Sequence, residues 1–290
     1  MSELPQRLLN GIVVGGIYAL NALGLTMIYG MMNVVNIAHG ELYMLGALFA
    51  FFFANILGLP YFLAVIVAVL FVAVMGMVIE RLSLRPIEGQ PMVITTLVTL
   101  GVSLILQNVS LIVTGGVPRY IDSPFSSTPV VLGAIQMSPA RLFAVLASGV
   151  VIVATHLFLE KTAIGNSIRA AFQDKDAASL VGINVSRVYM LTYGLGAALA
   201  ALGGGLLGTI SYVDPTMGAK GLMKSFVVVT IGGMGNLIGA IFGGLILGIV
   251  ETLAAAFISS EYKDVIGFVM VVVILLFLPQ GLFGAKERKA

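Results

Sequence analysis

The sequence predicts an all-α polytopic membrane protein: eight full transmembrane helices, room for a ninth short or re-entrant segment, and a short amphipathic helix on the cytoplasmic side. Three observations carry this expectation. Of the 290 residues, 59% are apolar and 10% charged, against roughly 25% charged in an ordinary soluble domain. The mean hydropathy of +1.08 exceeds what one core can hide, because a chain of this size leaves much of its surface outside. The charges also cluster, leaving long uncharged runs between them.

Inside lipid the backbone must satisfy its own polar groups, so each run should be a helix of about 20 residues. The first span covers 8–30. The run 42–79 is too long for one helix and divides near the sequence from Asn55 to Pro60. Further spans are expected over 91–114, 141–159, 188–210 and 265–283. The stretch 221–258 is broken at Gly232-Gly233-Met234-Gly235-Asn236 and divides into a short helix and a full one. A cleaved signal peptide is not expected, because the first apolar stretch is long and lacks a clear cleavage site.

Orientation follows from Lys and Arg in the short loops. Arg81 and Arg85 fall in 80–90; Lys161, Arg169, Lys175 and Arg187 fall in 160–187; Lys286, Arg288 and Lys289 close the chain. These segments are assigned to the cytoplasm. Loops 115–140, 211–224 and 258–264, with only Arg119, Lys220, Lys224 and Lys263, are assigned outside. An even number of crossings must then separate Arg187 from Lys286, which is why 221–258 is divided. The chain is treated as a single domain, 1–290, because no linker interrupts it.

Composition also excludes several classes of function. The 15 Lys+Arg and 13 Asp+Glu nearly cancel, so there is no nucleic-acid footprint. With no cysteine and only His39 and His156, no disulfide, thiolate metal site or histidine-rich metal centre is expected. There is no His-Glu-x-x-His motif, no Gly-x-Ser-x-Gly elbow, and no catalytic pair or cofactor site. No Gly-Lys dipeptide occurs, which excludes a phosphate-binding P-loop in this chain.

Glycines and alanines recur at four-residue spacing. Gly196, Ala200, Gly204 and Gly208 form one series; Gly235, Gly239 and Gly243 a second; Gly244 and Gly248 a third. On helices such spacing makes grooves for close backbone approach, and its simplest meaning is a tightly packed bundle. Asn36-Ile37-Ala38-His39-Gly40 and Asn236-Leu237-Ile238-Gly239-Ala240 are weakly alike beside broken hydrophobic stretches. Inverted repeats of transporters produce such pairs, and so does chance in a glycine-rich chain.

The loop 160–187 is the most informative segment. From Ser167 to Val181 it favours one short amphipathic helix, Gly182 suits its stop, and Asn184 could cap the next span. A helix apolar on one face suits docking into another protein's groove. An interfacial helix lying on lipid is the alternative, which the mixed charge disfavours.

Within this loop, Asp176-Ala177-Ala178-x-x-x-Gly182 resembles the Glu-Ala-Ala-x-x-x-Gly coupling loop of bacterial ABC-importer permeases. Gly165-x-x-x-Arg169-Ala170 before it resembles the version in branched-chain amino acid permeases. Gly15-Gly16-Ile17-Tyr18-Ala19-Leu20, the run from Asn33 to Glu41, Ile231 to Asn236, and Pro279-Gln280-Gly281-Leu282-Phe283-Gly284 resemble the same LivH-type inner-membrane subfamily, in the family's order. Asp176 stands where the wider family has Glu, and the downstream Ile-x-Leu-Pro is absent. The resemblance implies a permease domain in the bacterial inner membrane that imports branched-chain or related hydrophobic amino acids. It implies ATP hydrolysis on two separate ATPase subunits, a second and different permease subunit, and an external binding protein. Gly165, Arg169, Asp176, Ala177, Ala178 and Gly182 would form the ATPase-coupling element, with the two alanines small enough for close seating.

Polar groups in apolar runs are costly and become functional candidates. Asn36, His39 and Glu41 after the first span, Thr96 among the hydroxyls of the fourth, and Glu251 are the candidates for the translocation pathway. Two other readings remain at this stage. One is a stand-alone secondary transporter or channel, although no paired intramembrane acids or arginine-rich helix support ion coupling. The other is an ABC permease for urea or short amides, which resemble this subfamily.

Overall fold

The computed structural model describes residues 4–125, 128–132 and 135–284. Lys286, Arg288 and Lys289 of the expected basic tail lie outside the described residues. The chain is helical almost throughout. α1 (Leu4–Met32) is followed by α2 (His39–Phe51), which continues as a π-helical turn, Phe52–Ile56. α3 (Tyr61–Ile79) runs on through a π turn to a 3-10 turn ending at Ile87, and α4 is Met92–Thr114. A two-stranded antiparallel hairpin, β1 (Val130–Leu132) with β2 (Ile135–Met137), occupies the connection to α5 (Pro139–Lys161). Then come α6 (Ala163–Gln173), α7 (Lys175–Leu180), α8 (Val185–Leu207), α9 (Met217–Gly232), α10 (Leu237–Phe257) and α11 (Lys263–Phe277).

Among the described residues, seven helices are long and apolar enough to cross a membrane: α1, α2 with its π turn, α3 with its extension, α4, α5, α8 and α10. Of the remainder, α9 has 16 residues and α11 has 15. The break at 232–236 falls as expected, with positive φ at Gly233 and Gly235. There the chain needs a left-handed backbone that only glycine adopts at little cost. Asn236 then caps α10, accepting from the Gly239 N–H at 2.8 Å.

α1, α8 and α2 are the most buried of the long helices, and α10 packs along α1. α1 and α10 run antiparallel with backbones nearly touching, Gly11 against Ile249 and Gly15 against Gly244 and Leu245. Gly24 meets Gly196 of α8, and Gly204 of α8 meets Tyr43 of α2. The small residues thus act as the spacing predicts, except that Gly235 lies in the turn before α10 and Gly208 caps α8. α4 and α5 are peripheral and mostly exposed, as suits helices that face lipid.

The segment 33–38 is where the backbone departs from helix inside the bundle. Asn33 ends α1 at φ +51°, a left-handed conformation that asparagine tolerates better than most residues. The chain then runs back along α4 until α2 begins. His39 Nε2 lies 2.9 Å from the backbone oxygen of Asn21, and Asn21 is eleven residues before the end of α1, about 16 Å along its axis. α2 therefore starts well inside the bundle. The sequence reading had His39 and Glu41 trailing the first span, whereas they form the first turn of α2. The exposed polar groups of 33–38 are met by α4: Thr99 Oγ1 accepts from Ile37 N–H and donates to Val35 O, both at 3.2 Å. Irregular backbone survives at such depth only with partners of this kind.

α9 is the second helix to start inside. Gly218 packs against the Glu41 side chain, and Asn21 Nδ2 donates to Gly221 O at 3.1 Å. The discontinuous pair is thus α2 with α9. Asn36 and Asn236, paired by the sequence comparison, do not meet: Asn236 donates instead to Phe283 O.

The single helix expected over 167–181 is two. Asp174 interrupts it at φ −157° and accepts from the N–H groups of Asp176 and Ala177, both at 2.9 Å. The side chain competes with the helical backbone for these donors, as short acidic residues do. Gly182 follows at φ +87° and Asn184 caps α8 through Arg187 N–H at 3.0 Å. Asp174→Ala should cost about 1 kcal/mol and unravel α7 first, read as faster amide exchange across 175–180 with α8 unchanged.

Candidate functional site

Of the candidate pathway residues, the structure gathers Asn36, His39 and Glu41 at the start of α2, all 3% exposed or less. His39 faces α1, where its ring meets Asn21 O and Gly24. Glu41 faces α4 and α9: Oε1 accepts from Ser103 Oγ at 3.2 Å, and Oε2 lies against Gly218. Thr95, Thr99 and Ser103 make a buried row down one face of α4. Thr96 is not part of it, since it is only half-buried, off the face that carries Thr95 and Thr99. Thr99 and Ser103, rather than Thr96, are the hydroxyls that meet the 33–38 backbone and Glu41. The signal that finds them is their four-residue spacing, which puts both on one face.

The row leads to a cavity of about 250 Å³ at the end of the bundle that carries the 80–90 loop. Asn33, Glu80, Arg85, Glu88, Thr95 and Lys175 are among its lining residues. Glu80 is 1% exposed, and the sequence reading had left it in a loop.

Glu251 belongs to a different cluster. It is 3% exposed, bonded to Lys224 Nζ, and accepts from Tyr18 Oη at 3.0 Å. Lys224 also donates to Asp264 Oδ1 at 2.7 Å. Four helices, α1, α9, α10 and α11, are tied here. Lys224, expected in the outer loop 211–224, lies within α9. The expected helical stretch 221–258 already overlapped that loop.

The coupling candidates sit together at the same end as the 250 Å³ cavity, on α6, α7 and the turn after them. Gly165 is buried against the backbone of Phe158 and Leu159 where α5 turns into α6. Arg169 donates to Asn166 Oδ1 at 2.7 Å and reaches Glu160 O. Asp176 and Ala177 are exposed, but Ala178 is 3% exposed and faces the bundle. Leu180 and Val181 are 88% and 77% exposed, so this end of α7 presents apolar surface outward. Phe172 enters a crevice between Gly30, near the end of α1, and Gly235 in the α9–α10 turn.

Discontinuous helices meeting inside a multi-pass bundle, with buried polar groups at the meeting point, define a transport protein of the membrane. The profile of the family described as branched-chain amino acid transport system / permease component matches residues 7–275. The chain belongs to that family, whose members are transport components of the inner membrane. It is 35% identical over 97% of its length to the high-affinity branched-chain amino acid transport system permease protein LivH of Escherichia coli, covering 96% of that protein. To LivH of Salmonella typhimurium it is 34% identical, and to BraD of Pseudomonas aeruginosa, also a high-affinity branched-chain amino acid permease, 32%, with the same coverage. No solved structure matches the chain.

Proposed function

We propose that this chain is the membrane-spanning permease subunit of an ATP-driven importer, carrying branched-chain or closely related hydrophobic amino acids into the cell. The observation that carries the reading is the similarity, over 97% of the chain, to permease subunits named for those substrates. With no P-loop of its own, it takes its energy from two ATPase subunits bound at the end that carries 80–90 and 160–187, which is the cytoplasmic end. A second, different permease and an external binding protein complete the assembly.

In this reading α11 is the eighth span and α9 the ninth, both shorter than the other seven, so that loops 80–90 and 160–187 and the tail share one side. Substrate leaves along the α4 face past Glu41, Ser103, Thr99 and Thr95 into the 250 Å³ cavity. The ATPase docks on α6–α7. Exposed Ala177, Leu180 and Val181 supply the apolar contact, of the helix-in-groove kind. Phe172 passes movement of this element to the α9–α10 turn and so to the start of α9.

Purification in mild detergent should recover a second permease and P-loop ATPases with this chain, and vesicles holding the complex should take up leucine only with ATP. Leucine flux without nucleotide, from the chain alone, would instead establish a stand-alone transporter. Leu180→Asp is expected to cut uptake and ATPase stimulation by about thirtyfold or more, since it puts a charge into a desolvated contact, with unchanged membrane abundance. Ala178 is the wrong place for that test: buried within its own chain, it would report folding. Uptake at the normal rate by the Leu180→Asp complex would remove α7 from the docking surface.

A further inference from the structure

The two oxygens of Glu41 have unequal surroundings. Oε1 accepts from Ser103, while Oε2 has no hydrogen-bond partner among the described residues. Oε2 is directed at the first turn of α9, where a Cβ added to Gly218 would stand 2.5 Å from it. Lys224, the interior lysine of α9, is committed to Glu251 and Asp264. A carboxylate at this depth without a cation is costly. The first turns of α2 and α9 offset part of that cost through their dipoles. Ala38 and Thr216 at the two N-caps make no side-chain capping hydrogen bond, while Asp214 Oδ1 accepts from the Thr216 N–H at 2.6 Å.

This arrangement lacks a positive charge with hydrogen-bond donors, and the positive dipole ends of two helices lie beside it. A zwitterion carries both complements on adjacent atoms. We propose that Glu41 Oε2 holds the ammonium group of the transported amino acid, with its carboxylate toward the start of α9 beside Gly218. The proposal rests on the importer reading above and names the substrate group that the site selects. Urea and short amides carry no cation and leave Glu41 unpaired, so the site discriminates against them. Gly40 packs on the backbone of Gly218 and on Leu222, so substrate enters only when the start of α9 draws back from α2. Gly218 permits the closed form.

The test separates charge from shape. In membrane vesicles containing the full chain with its partner subunits, leucine uptake and ATPase activity are measured for Glu41→Gln and Glu41→Asp. Glu41→Gln keeps the shape and loses the charge. It should lower uptake by about thirtyfold or more, the loss expected when one partner of a buried charge pair is removed, with the chain at normal abundance. Glu41→Asp shortens the side chain but keeps the charge, and should retain several times more uptake than Glu41→Gln. Uptake by Glu41→Gln at the unsubstituted rate, or Glu41→Asp falling as far as Glu41→Gln, would overturn the assignment.

A second arm does not depend on leucine being the substrate. Dicyclohexylcarbodiimide modifies carboxyl groups inside membranes, and its adduct at Glu41 can be mapped by peptide mass spectrometry. Leucine and 3-methylbutylamine should slow that adduct several-fold, whereas 4-methylpentanoate, which lacks the amine, should not. Equal protection by the acid, or none by the amine, refutes the ammonium site. Absent leucine uptake together with protection by the amine would overturn the importer reading alone.

Discussion

Replacing Lys224 by alanine is expected to be the most destabilising single change in the chain, by about 3–5 kcal/mol. Its ammonium lies between Glu251, whose side chain is 4% exposed, and Asp264, which is 52% exposed. Asp264 can turn to solvent when the lysine is lost, and exposed pairs are worth little. Glu251 cannot. It would keep only the Tyr18 hydroxyl and remain a buried charge without a cation. The fold should loosen first where α9 and α11 meet α10. Thermal unfolding in detergent, followed by size exclusion, reads the effect. A double substitution, Lys224→Met with Glu251→Leu, should recover most of the loss, because apolar replacement of a whole buried pair is often neutral. A double variant as unstable as Lys224→Ala would show that packing at Lys224, rather than the stranded charge, sets the cost.

Gly204→Leu is expected to come next, at about 3 kcal/mol or more. A Cβ there runs into the carbonyl of Tyr43 and stands 3.3 Å from the Ala47 amide. Both are backbone atoms of α2 and cannot rotate aside as a side chain would. α2 must move away from α8, carrying Glu41 with it, so uptake should fail together with stability. Gly101→Ala and Gly149→Ala are the matched controls, since nothing lies within 4 Å of the added carbon at either position. They should be neutral or stabilising by up to about 1 kcal/mol, the difference in helix propensity. Equal damage at Gly101 and Gly204 would mean that close approach of α2 and α8 does not support the fold.

Both predictions depend on contacts between residues remote in sequence, and this divides what could be read beforehand from what could not. Apolar runs located the long helices to within a few residues, because lipid forces the backbone to bond within its own segment. The basic loops fixed a common side for 80–90 and 160–187, and residues of both segments line one cavity. The break at 232–236 was legible because left-handed turns call for glycine. The coupling loop was legible in its stops, Gly182 and Asn184, but not in its middle. Asp174 favours helix when averaged into a window of good helix formers and breaks it when its oxygen captures two amides.

The candidate site was legible in its α2 half. Asn36, His39 and Glu41 stand out because polar groups are rare in such a chain. Thr96 and Thr99 look alike in sequence, and only the position of the 33–38 backbone makes Thr99 a partner and leaves Thr96 bonded to its own helix. Glu251 was chosen for its depth, and the fold gives it to Lys224, which the sequence had placed in a loop.

The sequence alone thus determined the class of protein, the approximate limits of most of its long helices, and the family to which it belongs. These rest on local composition and on the hydrogen-bonding demand of each segment. Only the tertiary structure decided that α2 and α9 begin inside the bundle and meet at Glu41 and Gly218. Those two residues are 177 positions apart (218 − 41), and no local property of either stretch specifies that contact. It arises because Gly46, Gly204 and Gly221 let α2 settle against α8 and α9, a fit set by shape across three helices.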